Sequence, residues 1–354
     1  MAEFLAKINP NVLYILSFLT AFIISTVMTP FSVKFAYLID AVDHPKDRGM
    51  HKKSMPLAGG TAIFMGYMVA SLFFSQGVHG FGTIKTIGII IGTIIITIGG
   101  LLDDMYTLTW KVKMSFQILA ALVVVYTGFT IDILTFPFAE GGVLFLGMFG
   151  KVLTVIWIVG VTNAVNFIDG LDGLAAGVSS IAALCLMFVA MLFGDPITVV
   201  LMAALAGACI GFLPHNFNPA IIFMGDTGST FLGFTLAVIS TQGMLKSYTA
   251  VTIIVAGFVL GLPIFDTFFA ILRRLAAGKS PMAPDRGHLH HRLIDKGYSQ
   301  KRAVITLYLI SGMLGVSGIL IATKDYLMAA LVIIFVLSYL FLDKIVAFFK
   351  KPKK

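Results

Sequence analysis

The sequence predicts an all-α, polytopic integral membrane protein, and three observations carry that expectation. Of 354 residues, 58% are hydrophobic and only 12% charged, with a mean hydropathy of +0.97. Soluble domains carry roughly 25% charged residues. Apolar windows recur along the whole chain, most near the ~20 residues that a helix needs to cross ~30 Å of hydrocarbon. Basic residues, finally, collect in alternate loops, as they do where Lys and Arg remain on the cytoplasmic side.

In chain order the windows fall at 11–33, 58–76, 84–101, 114–130, 149–165, 174–193, 197–213, 229–243, 249–271, 303–322 and 327–347, which predicts about 11 transmembrane helices. The fifth and eighth are short, so 10 spans is the alternative. The first is too long for the apolar stretch of a cleavable signal and shows no small-residue cleavage site, so it is expected to stay as a membrane helix. The ninth contains Gly261 and Pro263 and is expected to break near Pro263, sending the segment with Asp266, Arg273 and Arg274 off at an angle. With alternating crossings, 20 of the 25 Lys and Arg residues share one side, which places the N-terminus outside and the C-terminus in the cytoplasm. The chain then reads as one transmembrane catalytic domain, residues 1–354, whose cytoplasmic loops 34–57, 102–113, 163–176, 214–228 and 272–302 form the active site.

Composition also excludes. Cys185 and Cys209 both lie in apolar runs, which rules out a secreted disulfide framework. The net charge of +8 follows from loop placement and the basic tail KKPKK, so no nucleic-acid partner is expected; the tail suits topology and lipid headgroups.

Four stretches carry chemistry that hydrophobic packing does not explain. Asp103 and Asp104 follow Gly99 and Gly100 at the cytoplasmic end of the third window, where Lys or Arg would be the usual interfacial anchors. Adjacent helical residues diverge by ~100°, so the two carboxylates take different roles. Crowded like charges raise the proton affinity of one partner, which suits a base near neutral pH. In TNAVNFIDGLDGLAAG, residues 162–177, Asn163, Asn166, Asp169 and Asp172 alternate with apolar residues and glycines. A cap accounts for one Asp but not for the cluster.

HNFNPAIIFMGDTGST, residues 215–230, sets Asp226 between Gly225 and Thr227 before the eighth window. Asp226 or Thr227 could cap that helix. The same geometry offers backbone amides and a carboxylate to a magnesium diphosphate. Phe223 could stack on a planar ring or pack in the core. PDRGHLHHRL, residues 284–293, holds Arg286, His288, His290, His291 and Arg292. No cysteine stands near them, and the carboxylates elsewhere suit a hard cation, so a donor-rich cradle for phosphates and sugar hydroxyls is preferred to zinc.

These motifs, in this order, resemble the polyprenyl-phosphate N-acetylhexosamine-1-phosphate transferases (glycosyltransferase family 4), over residues 40–295. DHPKDRGMHKKSMPLAGG, residues 43–60, resembles the family's first cytoplasmic loop, and GHLHHRL is more similar to bacterial enzymes using UDP-GlcNAc than to the peptidoglycan enzyme using UDP-MurNAc-pentapeptide, whose three histidines are consecutive. Leu289 interrupts them here. The resemblance implies transfer of GlcNAc-1-phosphate from UDP-GlcNAc to undecaprenyl phosphate, release of UMP, and Mg2+ as cofactor, with Mn2+ as an alternative, in the first membrane step of an envelope glycan such as teichoic acid or O-antigen.

Carried over by motif, Asp226 and Asn166 hold the metal, while Asp103 and Asp104 deprotonate or position the lipid phosphate. Lys113 meets phosphates, Lys53 binds substrate, and Asp169 supports nucleotide or metal. Asp172 and Phe223 lie beside the uracil, and Arg286, His288, His290 and His291 hold the diphosphate and sugar. The implied location is the bacterial plasma (inner) membrane with the site facing the cytoplasm. Membrane lipids are the other partners, and a homodimer is compatible with apolar outer faces. The alternatives are transfer of phospho-MurNAc-pentapeptide and a cation-coupled transporter, the latter expecting charges near the bilayer midplane.

Overall fold

The computed structural model describes residues 2–44, 54–78, 82–135, 143–242, 249–280 and 287–350. Every apolar window coincides with helix. After a short α1 (Ala2–Leu5) come α2 (Pro10–Leu38), α3 (Gly60–Phe74), α4 (Ile84–Tyr106), α5 (Trp110–Tyr126), α6 (Met148–Ile168), α7 (Leu174–Leu192), α8 (Pro196–Asn216) and α9 (Gly225–Gln242). The ninth window is two helices, α10 (Thr249–Val259) and α11 (Gly261–Ala276), and α12 (Leu289–Asp295), α13 (Gln300–Ala322) and α14 (Tyr326–Lys350) complete the order. Two antiparallel hairpins join helix ends. β1 (Val42–Asp43) pairs with β2 (Met55–Pro56), and β3 (Ile133–Thr135) with β4 (Val143–Phe145).

Among the described residues, six helices, α2, α4, α6, α7, α8 and α13, are long and apolar enough to cross a membrane. Two of the other windows give shorter helices: α3 has 15 residues and α5 has 17. The ninth breaks at Leu260, three residues before Pro263. That offset has a simple cause: in the first turn of α11 a backbone N–H has no intrahelical acceptor, so proline loses nothing there.

α2 shows how a membrane protein inverts the soluble pattern. Its buried positions are Leu13, Ser17, Ala21, Ser25, Thr29, Ser32 and Ala36, mostly one turn apart, whereas Ile15, Ile23, Val27 and Phe31 face outward. Large apolar side chains find lipid as good a solvent as protein, so the interface goes to small residues that let backbones close in. The partner is α8, the central helix, with 83% of its apolar window buried against 28% for α2. Gly207 and Gly211 lie against the carbonyls of Phe18 and Phe22, where no Cβ fits. Ser17 Oγ donates to Val200 O at 3.1 Å, and Thr26 Oγ1 to Gly211 O at 2.9 Å. Gly207→Leu is therefore expected to force the helices apart and cost ~3 kcal/mol or more by overpacking. A lower apparent Tm in detergent checks this; an unchanged Tm would refute the close crossing.

The chain alternates direction through these helices, so α4, α6 and α8 end, and α5, α7 and α9 begin, at the same end of the bundle. That end carries the polar residues.

Candidate active site

The third window's polar end remains helical through Tyr106, and the glycines before it explain how it meets α9. A Cβ on Gly100 would stand 2.5 Å from the carbonyl oxygen of Asp226 and 2.6 Å from Thr227 Cα, so only glycine admits this approach. Once the two backbones touch, Asp104 accepts from Asp226 N at 2.7 Å, Thr227 N at 3.0 Å and Thr227 Oγ1 at 2.5 Å. It thus caps α9 from another helix and satisfies amides that a helix start leaves open. Those two amides, offered by the sequence to a bound phosphate, are consumed internally.

Asp103 points elsewhere. It accepts from Leu108 N at 2.7 Å, and its Oδ2 lies 2.5 Å from Lys113 Nζ. The intervening turn closes through Thr107, in left-handed conformation with φ of +51°, and so brings the first turn of α5 back over the end of α4. Lys113 Nζ is also 2.7 Å from Asp226 Oδ2, so one ammonium bridges carboxylates 123 residues apart in sequence.

α6 delivers the asparagines. Asn166 Nδ2 donates to Asp226 Oδ1 at 2.9 Å and to Ser229 Oγ at 2.8 Å, and its Oδ1 accepts from none of the described residues. Asn163 instead pairs with Gln117, donating to Oε1 at 2.6 Å and tying α5 to α6. Beyond α6, Asp169 to Gly173 form a turn in which Gly173 has a φ of +81°. Asp169 accepts no side-chain hydrogen bond among the described residues, and its proton affinity rises to about 7, first through burial and then through repulsion from Asp226 and Asp172. Asp172 accepts from Asn218 Nδ2 at 2.9 Å and Ala220 N at 3.2 Å, which pins the loop that follows α8. Phe223 in that loop donates its amide to Pro56 O at 2.9 Å and accepts from Gly59 N at 3.0 Å.

The histidine segment docks on α11. Buried Asp266 accepts from His288 Nδ1 at 2.8 Å through one oxygen and from Leu289 N at 2.8 Å through the other. The His288 and His290 rings stack with centroids 5.8 Å apart, and His290 and His291 lie 4.2 Å apart. His290 packs on Gly170, where a Cβ would meet Nε2 at 2.5 Å. Its Nδ1 has no hydrogen-bond partner among the described residues. Burial, then the neighbouring His291, lowers its pKa from the ordinary 6.5 to about 4. Between those values the unfolded ring binds a proton that the folded one refuses, so stability present above pH 6.5 is lost as pH falls toward 4. The apparent Tm is expected to drop less over that window in His290→Gln than in the wild type; identical slopes would contradict a neutral buried ring.

These groups surround one cavity of about 460 Å³ lined by Asp103, Asp104, Asn166, Asp169, Asp172, Phe223, Asp226 and His291, together with Asp43 and Asn216. Ten of the residues singled out in the sequence stand in or directly behind its wall, among them Lys113 through its ion pairs and His290 through its packing on Gly170. Lys53 and Arg286 lie outside the described residues. Arg292 lines a different recess. Asp266, Asn218 and Gln117 fall outside the site residues that the sequence marks; a lone acid in an apolar helix is the signal that Asp266 offers. No group of three His, Cys, Asp or Glu side chains stands at metal-ligating separation among the described residues. The donor set is oxygen-rich and free of thiolate, with an uncommitted amide oxygen on Asn166 and a cationic Lys113 already drawn between Asp103 and Asp226. A hard cation with few protein ligands fits such a set.

Long apolar helices around an acidic, amide-rich cavity define a multi-pass membrane protein built to handle a charged substrate. The chain belongs to glycosyl transferase family 4, whose model matches residues 86–244, from the first turn of α4 past the end of α9. It is similar to a Bacillus subtilis protein described as a probable undecaprenyl-phosphate N-acetylglucosaminyl 1-phosphate transferase, 41% identical over 326 residues covering 92% of this chain and 88% of the relative. A decaprenyl-phosphate N-acetylglucosaminephosphotransferase of Mycolicibacterium smegmatis is 39% identical over 84% of this chain and 79% of its own. The undecaprenyl-phosphate alpha-N-acetylglucosaminyl 1-phosphate transferase of Escherichia coli O157:H7 is 26% identical over 95% and 94%.

Proposed function

We propose that this protein transfers GlcNAc-1-phosphate from UDP-GlcNAc to undecaprenyl phosphate, releasing UMP, at the cytoplasmic face of a bacterial plasma membrane. The observation that carries the reading is the joining of Asp103, Lys113, Asn166 and Asp226 from four helices at one cavity wall. The relatives' names supply the substrate class. In the step, an oxygen of the lipid phosphate attacks the phosphorus that bears GlcNAc, and the bond between the two phosphoryl groups of UDP-GlcNAc breaks to leave UMP.

Asp226, with Asn166 Oδ1 and Asp169 at its side, would hold Mg2+, which when bound neutralises phosphate charge. The chain does the rest by position and charge. Asp103, set against Lys113 at the cavity, keeps the lipid phosphate deprotonated and in line, and Lys113 shares its ammonium with the reacting phosphates. Asp104 is a positioning residue that fixes the first turn of α9, and hence Asp226. Asp172 and Phe223 face the uracil, and the histidines face the diphosphate and sugar. A site at one end of the bundle suits the substrates, since the nucleotide sugar arrives from water and the lipid from between helices.

Purified protein given UDP-GlcNAc, undecaprenyl phosphate and Mg2+ is expected to form UMP and the lipid diphosphate sugar together. No UMP, or UMP formed only from UDP-MurNAc-pentapeptide, would overturn the assignment. Uptake into vesicles without UMP would make the protein a transporter.

A further inference from the structure

The turn that carries Asp169 and Asp172 is gripped twice by one helix, α13. Gly173 ends that turn in left-handed conformation, and both of its backbone groups are engaged. Its N–H donates to Asn216 Oδ1 at 3.0 Å. Its carbonyl closes the first turn of α7 by accepting from Gly177 N at 3.0 Å, and it also accepts from Tyr308 Oη at 2.5 Å. Two glycines make room for this second bond: a Cβ on Gly177 would collide with the Tyr308 ring, and one on Gly173 would stand 3.4 Å from the Tyr308 hydroxyl. About two turns earlier on α13, Gln300 Oε1 accepts from Asn218 Nδ2 at 2.8 Å, and the same amide donates to Asp172 Oδ2 at 2.9 Å. Both hydrogens of that amide are thereby committed, so its orientation toward Asp172 is set by Gln300.

The packing of α13 is supplied by other residues: Gly315 lies over Cys185 of α7, and Leu307, Ile310 and Leu314 are buried. The two polar contacts add direction, because a hydrogen bond fixes the angle of the peptide or carboxylate it holds while apolar contact does not. We infer that Tyr308 and Gln300 are positioning residues for the nucleotide: from the membrane-spanning bundle they fix the turn that presents Asp172 to the uracil. The inference rests on the proposed placement of Asp172 beside that base. One grip acts on the backbone that follows Asp172 and the other on its carboxylate, so together they limit both where the acid stands and which way it turns. Tyr308 and Gln300 both lie beyond residues 86–244, the span that matches the family model. The motif that meets the nucleotide is therefore steadied by a helix more than 120 residues further along the chain.

Tyr308→Phe is the decisive variant, since it keeps the ring in its glycine-lined slot and leaves Gly173 O bonded to Gly177 N, so α7 still starts where it does. Full-length wild type and variant in detergent are titrated with UMP by calorimetry, and hydrogen–deuterium exchange is followed over residues 169–174. Tyr308→Phe is expected to weaken UMP about 5-fold, the scale of one neutral hydrogen bond, and to speed exchange in that segment while the rest of α7 stays protected. Gln300→Leu, which removes the acceptor for Asn218, is expected to weaken UMP about 3-fold. In turnover the change should appear in the KM for UDP-GlcNAc and not in that for undecaprenyl phosphate. Unchanged UMP affinity in either variant, or unchanged exchange over residues 169–174 in Tyr308→Phe, overturns the positioning role. Equal effects on both substrates do so too, because they mark a general loosening of the bundle. A wild type that binds no UMP overturns the transferase reading and this inference with it, whereas a wild type that binds UMP as tightly as the variants do overturns this inference alone.

Discussion

Asp226→Asn is expected to yield a folded, membrane-inserted protein with turnover reduced roughly 10²–10³-fold or more, the scale on which removal of one charge-stabilising group acts in a water-poor site. The substitution is nearly isosteric and keeps the backbone amide that Asp104 holds at 2.7 Å, so α9 stays capped. What disappears is the anion that faces Lys113 at 2.7 Å and Asn166 at 2.9 Å. UMP release at saturating UDP-GlcNAc and undecaprenyl phosphate, alongside size-exclusion behaviour, checks both halves of the expectation. Mg2+-dependent turnover close to wild type would remove Asp226 from the chemistry.

Asp266→Ala should produce the second largest loss, and of a different kind. Its two oxygens hold His288 Nδ1 and Leu289 N, each at 2.8 Å, in a buried setting. Removing them leaves two donors unpaired, and hydrogen bonds to a charged group are worth ~1.5–3 kcal/mol. Activity on the nucleotide sugar is expected to fall roughly 10–100-fold, a fall of about that energy. It should appear chiefly as a raised KM for UDP-GlcNAc with an unchanged KM for undecaprenyl phosphate. Asp266→Asn, which keeps one acceptor, should recover part of it. Equal effects on both substrates would show a general loss of structure instead.

The apolar interior of nearly every helix was legible because hydropathy is a local property. Helix ends at the site were not. The window at 84–101 stops where Asp103 and Asp104 begin, yet α4 continues to Tyr106; the window at 229–243 starts late, because GDTG spells a loop while α9 begins at Gly225. Asp104 and Asp226 stay helical with partners far away in sequence, Asp104 at Thr227 and Asp226 at Lys113. Periodicity carries no information about such partners. The clustering of acids, amides and histidines at one end did follow from their spacing relative to the windows. Which of the two adjacent acids faces the cavity cation did not, since both are helical and only contact with α9 separates them. Asp266 lay hidden among Phe265, Thr267 and Phe268, and only the chain's return through His288 gives it a task.

Because Asp104 occupies the leading amides of α9, the rigid backbone offers the incoming nucleotide sugar little to hold there. The grip falls to individual side chains on short connecting segments. Such grips can be exchanged one at a time while the scaffold stays intact, so selectivity among sugar nucleotides is free to be retuned by swapping loop residues, with no repacking of the bilayer-spanning core.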